Sequence, residues 1–595
     1  MKSKIWIKAV TLLLSMWLLV SCSSEQESLW LKSPDWSRGA FIGNTGVVAP
    51  VHFVSNSNKD TYFFLVDLNN ETSDFSFTLA RLRPDSDQLD RFELSLGELR
   101  GVKQPEIVRE KGGELRLFWI ASEGLYTLVV DDGGVPVGEP VLLSGNDAVS
   151  SFDIAYANDG GITVWYAGSR RNPGIHALSQ YDGSTPGVLI DPEGTLVRLR
   201  YDAQGRLHTA WAHYPFGYEQ SEILYGVYDT AAAQFSTAFS PVIPLDLGVS
   251  TSLDDFALGV DDTNVYLLWT TSVHTGPQAG DVRANNVTFP IGASPQNRTP
   301  SLVIAPTVYA LEFADTSNDL KVGQRVSLQG LDVPMTGQIQ DFRVNPVAAG
   351  ELILAFRSPT EHLWRKSRDQ VNLLYFDNGD ISAYQPLTFT STVSTLPNVV
   401  NGQDGYVSLT WVEKLSSDTF AVYFASTDPQ FVGRFKTLSF GETLNITYTV
   451  LFGMLIGALL APFVAAVWMF APLAVIGLFS LIRRILPSRA GGYLSIAELI
   501  VAVGVVWFTK MAAFPQMLEY VPFSAWIPNI PVLVGDILRV IVPLLTLIAS
   551  AFVAWHFTYR RENKSSLYFI LIYVGVDALI TTSIYAVLIY GTYVQ

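Results

Sequence analysis

The sequence predicts an all-β propeller of seven blades, with six or eight as the alternatives, followed by a C-terminal α-helical transmembrane domain of four crossings. Three observations carry this reading. A hairpin-like pattern ending in a large apolar residue recurs between Leu65 and Trp411, at spacings of 43 to 58 residues. No helical periodicity separates the copies. From Ile446 to Gln595 the chain is almost free of charge, with 8 Lys+Arg and 5 Asp+Glu. These features divide the 595 residues into a leader (1–22), a polar body (23–442) and an apolar tail (443–595). Only 16% of residues are charged, against ~25% in soluble domains. That excludes a disordered chain and argues against a wholly soluble enzyme.

The leader comes first. Lys2, Lys4 and Lys8 precede an uncharged run, Ala9 to Val20, whose 12 residues suit a signal-peptide core. A helix spanning ~30 Å of hydrocarbon needs ~20. The run ends Leu19-Val20-Ser21-Cys22 and resembles the bacterial lipobox. The resemblance implies that the Cys22 thiol receives a diacylglyceryl group and that cleavage makes Cys22 the first mature residue. Cys22 is the only cysteine in the chain, so no intramolecular disulfide is possible and the body is held by its core.

In the body, a short apolar strand, a turn with Asp, Asn or Gly, and an alternating strand recur. The copies are Ile107–Trp119, Ile154–Trp165, Val197–Trp211, Phe256–Trp269, Val344–Phe356 and Val399–Trp411, with weaker ones ending at Leu65 and Phe313. Gly or Asp supplies the tight turn, and period-2 alternation gives each strand a buried face. A period of roughly 40–50 residues without helices is the mark of four-stranded propeller blades. The recurring aromatic is expected between adjacent blades, as core.

These Asp/Gly turns followed by Trp resemble the sialidase-like propellers of exported bacterial proteins, at the level of fold, over about 23–440. That family implies an arginine triad, a Tyr–Glu pair and an acidic proton donor. No complete Asp-box is present; Asp202-Ala203-Gln204-Gly205 keeps the turn, but Trp211 follows too far away. No Arg-Ile-Pro occurs near the N-terminus, where Arg38-Gly39-Ala40 is nearest. No catalytic residue is therefore carried over, and no metal or cofactor is assigned. His208 and His213, five apart, fall on opposite strand faces and read as unrelated surface histidines. Asp254-Asp255 and Asp261-Asp262 read as turn chemistry rather than a calcium site. A body charge of −22 argues against nucleic acid or other polyanions. A cationic, neutral-sugar or protein ligand is expected instead, with a protein or carbohydrate bound at the mouth, where propeller loops converge.

The tail holds four apolar stretches, within 446–482, 490–509, 532–557 and 567–591. Arg483, Arg484 and Arg489, and then Arg560, Arg561 and Lys564, mark cytoplasmic loops. With an exported body, this gives a multi-pass protein of the bacterial cytoplasmic membrane whose propeller lies outside. Lipid is thus a partner twice, through the helices and through the acyl chain. The first stretch is too long for one crossing and is expected to break near Pro462 or Pro472. An intramembrane charge cluster is expected from Asp577, Arg539, Asp536 and Glu498. In it, Asp577 pairs with Arg539, Asp536 lies one turn from Arg539, and Glu498 reaches toward Arg489.

Together these features suggest a membrane-anchored, extracytoplasmic, non-catalytic propeller that binds a ligand or scaffolds a protein. The alternatives are a sialidase-like surface glycosidase and a substrate-capturing component of a transport complex.

Overall fold

The computed structural model describes residues 35–590 apart from short internal stretches, the longest being 307–324. The leader and Cys22 lie outside the described residues. The chain divides into two compact units, one running to Thr437 and the other from Leu438.

The first unit is a seven-bladed propeller. Blade 1 is the antiparallel set Phe53–Ser55, Thr61–Asn69, Asp74–Leu82 and Leu89–Leu94. Blades 2 to 6 begin with inner strands Lys103–Arg109, Val149–Tyr156, Gly194–Tyr201, Thr251–Val260 and Gln340–Val344. Blade 7 is made of Ser394–Asn401, Val407–Lys414 and Phe420–Ser426, and is completed by Ala40–Thr45 from the start of the chain. This closes the ring with backbone hydrogen bonds and leaves no open join between the first and last blades. Blade 4 gains an extra strand, Ser240–Leu245, beside Ser221–Asp229, which accounts for the longest spacing of the repeat. Consecutive blades carry Trp269 and Phe356. Among the described residues no separate blade falls between them, and Phe313 lies outside those residues.

The repeat has a physical basis in two places. The first is the turn that leaves each inner strand. The backbone N–H groups of Asn56, Glu110, Ala157, Asp202 and Gly402 donate to the carbonyls of Asp60, Glu114, Gly161, Arg206 and Tyr406. The fourth residue of each turn has positive φ and is glycine at Gly113, Gly160, Gly205 and Gly405, because glycine adopts that conformation without a Cβ clash. In Asn56 and Asp202 the side-chain oxygen also caps the turn's own N–H groups. The second is the aromatic. Trp119, Trp165, Trp211, Trp269, Phe356 and Trp411 all sit on second strands and are buried. Seven hydrophobic clusters each join one blade to the next. Trp119 of blade 2, for example, packs on Phe77 of blade 1 with ring centroids 5.8 Å apart.

The second unit contains four long helices: α2 (Phe440–Ile485), α3 (Gly491–Ala513), α4 (Val532–Tyr559) and α5 (Ser566–Tyr590), after a short α1 (Pro429–Phe435) in the first. Segments Gly453–Ile485, Leu494–Ala513, Ile537–Thr558 and Ser566–Tyr585 are long and apolar enough to cross a membrane. The expected break in the first is not there. α2 is one continuous helix of 46 residues through Pro462 and Pro472, about 69 Å long. Its Gly453, Gly457, Ala461 and Ala465, four apart, are all buried. Ala465 and Trp468 share a core with Phe569, Ile570, Tyr573, Val574 and Ala578 of α5. Small residues allow such close helix approach in an apolar setting.

Candidate functional site

Inner strands contact one another between blades 1 and 2, 3 and 4, 4 and 5, 5 and 6, and 6 and 7, so they surround the propeller axis. Six of the seven break register near their start: at Lys103/Glu106, Val149/Ser151, Thr195/Val197, Leu253/Asp255, Gln340/Arg343 and Thr395/Asn398. Four of these bulges hold a non-glycine residue at positive φ, namely Gln104, Leu196, Asp341 and Leu396. A bulge inserts a residue and re-aims the side chains after it, and backbone strain of this kind concentrates at functional sites. The turns lie at the other end of the inner strands. There Lys59 of the blade 1 turn pairs with Asp428 at 2.5 Å and with Asp404 of the blade 7 turn at 3.5 Å. The chain therefore leaves the propeller, through Asp428 and α1, on the face opposite the bulges.

Just past the bulges, polar side chains of six blades form one network. Asp255 of blade 5 is held between Arg198 of blade 4 (2.5 Å) and Arg343 of blade 6 (2.6 Å). Burial alone would raise its carboxyl, but the two guanidinium groups prevail and keep it below the usual carboxylate range. Asp153 of blade 3 pairs with Arg200 at 3.2 Å and accepts the Leu199 N–H at 2.6 Å. Glu106 of blade 2 has no guanidinium partner among the described residues. Its Oε1 accepts from the Gln104 amide at 3.0 Å, and His52 Nε2 of blade 1 stands 3.9 Å away. Burial, and then the Asp153 charge, push Glu106 up to about 8. Burial, and then Arg343, Arg200 and Arg198, bring His52 down to about 3, so its imidazole is neutral.

The arginines keep donor capacity. Each guanidinium has five N–H groups. Among the described residues, Arg200 hydrogen-bonds protein only through Nη1, to Asp153 and its neighbour Leu199 O. Arg343 likewise uses only Nη1, to Asp255 and Phe342 O. Beside this network a pocket of about 350 Å³ is lined by Asp254, Asp255, Asp341, Arg343, Arg357 and Ser272 among others.

Sequence reasoning missed most of this site. It did single out Asp255, as a turn residue; the structure instead places it within a strand, between two arginines. Asp261 does cap a turn, accepting the N–H groups of Thr263 and Asn264. The signal for the arginines was the alternation in Val197-Arg198-Leu199-Arg200, which sets two guanidinium groups on one face of a strand that lies at the axis. The two histidines also need correction. They serve unrelated partners, but His208 is fully buried between Asp202 (3.1 Å) and the Tyr225 hydroxyl (2.6 Å). His213 is half-buried and pairs with Asp191 at 2.7 Å. Arg38 is buried as well.

In the helical unit the charged residues divide into two sites. Asp577 does not take Arg539; Lys510 of α3 donates to its Oδ1 and Oδ2, both at 3.0 Å, and to Thr581 Oγ1 at 2.7 Å. Lys510 also lies 5.6 Å from the centre of the Trp468 ring. Glu498 pairs with Arg483 and accepts from Ser566 at 3.1 Å, whereas Arg489 is outside the described residues. Arg539 is exposed on α4, and the Asp536 side chain is not among those described. The two sites are in step: Glu498 and Lys510 are 12 residues apart on α3, and their partners Ser566 and Asp577 are 11 apart on α5. α3 and α5 therefore run parallel and in register, so Asp577 meets a helix of its own direction rather than the antiparallel α4. Lys510 falls just beyond the apolar stretch expected at 490–509, because α3 continues to Ala513.

No family model matches the chain, and no curated protein matches it. Solved structures do. An ulvan lyase, a polysaccharide lyase solved with a -[GlcA(1-4)Rha3S]- ligand, is 8% identical with a TM-score of 0.43, over 66% of this chain and 96% of that one. An alpha-L-arabinofuranosidase from Fusarium graminearum is 9% identical with a TM-score of 0.35, over 64% and 97%. A protein of unknown function from Dyadobacter fermentans is 8% identical with a TM-score of 0.35, over 65% and 98%. By its own sheets and helices the chain is a seven-bladed propeller followed by helices long and apolar enough to span a membrane, and its distant neighbours among solved structures include a polysaccharide lyase and a glycosidase.

Proposed function

We propose that this protein is a non-catalytic binding module, anchored in the bacterial cytoplasmic membrane, whose propeller lies outside the cytoplasm and takes a carboxylate-bearing ligand at its axial mouth. The observation that carries this is the network past the bulges. Arg198, Arg200 and Arg343 pair with two carboxyl groups, Asp153 and Asp255, while Glu106 holds its proton at neutral pH. Within that network three guanidinium groups face two carboxyl groups, donors stay open on Arg200 and Arg343, and the adjoining pocket adds Asp254 and Asp341 beside Arg357. Arginine's planar fork matches a carboxylate in two-point contact. Two arginine-bearing segments and the signal-like leader support the membrane orientation, and the resemblance of Leu19-Val20-Ser21-Cys22 to a lipobox supports acylation at Cys22.

The test is a glycan array and a pull-down from native membranes, both with the full chain in detergent. Binding of acidic over neutral ligands, lost in Arg200→Ala and Arg343→Ala, is the expected result. Equal capture by wild type and both variants overturns the assignment of the mouth. Mass spectrometry of the mature N-terminus tests the anchor, and an unmodified peptide running through Cys22 would exclude it.

A second reading, a surface glycosidase, is favoured by one observation. Glu106 and Asp153 are neighbouring carboxyl groups; burial holds the proton on Glu106 while Asp153 is paired with Arg200, an arrangement that an acid and its partner carboxyl would take. Turnover of any fluorogenic glycoside that disappears in Glu106→Gln would replace the binding role with this one.

A further inference from the structure

The mouth distributes its positive charge unequally. Asp255 is contacted by two guanidinium groups and Asp153 by one. Glu106, on the equivalent inner strand of blade 2, receives only the Gln104 amide on Oε1, and the Glu106 side chain is 6% exposed. Gln104 is fixed for this contact. It is the positive-φ residue of the blade 2 bulge, and its amide also donates to Phe152 O of blade 3 at 2.7 Å. The groups that face Glu106 come from every neighbouring blade. They are neutral His52 of blade 1, Asp153 and Tyr156 of blade 3, Arg198 of blade 4 and Arg343 of blade 6. The Tyr156 hydroxyl donates to Ile107 O at 3.4 Å, and burial, then Glu106 and Asp153, hold it protonated. His52 is already neutral and Tyr156 stays protonated, so neither offsets the charge that Glu106 takes up.

We propose that Glu106 enters the mouth as a neutral carboxylic acid, offering its Oε2–H to an acceptor on the ligand, and that its ionisation closes the mouth to anions. The inference rests on the carboxylate-binding reading above and adds the donor and its control. A protonated carboxyl both donates and accepts, whereas a carboxylate only accepts. With Oε1 occupied by Gln104, the proton resides on Oε2, which has no protein partner among the described residues. Loss of that proton removes a donor and adds a negative charge beside the bound anion. The proton is held up to about 8, so affinity for an anion is full at pH 7 and falls as pH rises through that value.

Two measurements on the full chain in detergent test this. In the first, infrared difference spectra follow the carbonyl band of a protonated carboxyl group. A band that titrates near pH 8 and is missing in Glu106→Gln is expected; its absence from wild type at pH 7 overturns the proposal whatever the ligand. In the second, sodium glucuronate is the probe, titrated by calorimetry from pH 6 to 9.5. Its Kd is expected to rise on the order of tenfold across that range, and the rise is expected to vanish in Glu106→Gln. Binding that is flat with pH in wild type, or that keeps its pH dependence in Glu106→Gln, refutes the role of Glu106 while leaving a carboxylate site standing. No glucuronate binding at any pH, with the infrared band present, refutes the carboxylate reading and the gate built on it.

Discussion

Replacing Lys510 by methionine is the sharpest perturbation of the helical unit. It keeps the length of the side chain and removes its charge. Lys510 and Asp577 side chains are 1% and 2% exposed, and the ammonium donates to both carboxylate oxygens and to Thr581. All three of its N–H groups are used, so methionine leaves Asp577 with no compensating cation. Stranding one member of a buried pair costs about 3–5 kcal/mol, and a charge at mid-membrane depth about 3 kcal/mol on insertion scales. We expect a loss of about 3 kcal/mol, on the order of a hundredfold in the folded-to-unfolded ratio. Asp577→Leu alone is expected to cost a similar amount, because it strands the lysine. The double variant Lys510→Met/Asp577→Leu is expected within about 1 kcal/mol of wild type, since an apolar pair of similar volume replaces a buried ion pair without penalty. The assay is equilibrium unfolding of the full chain in mixed micelles, read by tryptophan fluorescence and completed as a double-mutant cycle. Single variants as stable as wild type, or a double variant that loses the sum of the two, would refute a pair that clasps α3 to α5.

Three further outcomes follow from the propeller and its orientation. Trp165 is fully buried and meets Tyr228 of blade 4 edge-on at 5.0 Å, so Trp165→Ala is expected to lose about 3–5 kcal/mol; a change under 1 kcal/mol in thermal unfolding would disprove its role as an interblade anchor. Glu106 is protonated up to about 8 when folded but only to about 4.5 when unfolded. The unfolded state therefore releases its proton first, and stability falls as pH rises between those values. Glu106→Gln should flatten that fall, and identical unfolding profiles from pH 5 to 9 would contradict the burial argument. A cysteine placed at Ser488 is expected to resist an impermeant thiol reagent added outside cells, and labelling there would reverse the proposed membrane orientation.

The propeller was legible because its repeat is written in short-range chemistry. A turn residue at fixed spacing and an aromatic on the following strand are local requirements, and Gly205 with Trp211 satisfies them within one hairpin. The apolar stretches were legible for a similar reason, since span length and charge depletion are one-dimensional properties. Pro462 and Pro472 misled because proline breaks helices in water. In an apolar medium an opened helix exposes groups with no solvent to satisfy them, so continuity through both prolines is favoured.

The sequence alone therefore determined the number of β repeats to within one, the buried aromatics and the four apolar helices, all set by neighbours a few residues apart. Tertiary structure alone decided the mouth and the clasp. A bulge adds one residue and so reverses which faces the following side chains take, which is why Glu106, Asp255 and Arg343 could not be placed from alternation. Packing of consecutive blades brings His52 of the first blade beside Glu106 of the second, and closure of the ring sets it within the field of Arg343 of the sixth. Parallel registry of α3 and α5 likewise selects Lys510 for Asp577. Charges find partners through space, and the distance that fixes a Coulomb interaction is set by how the whole chain closes rather than by separation along it.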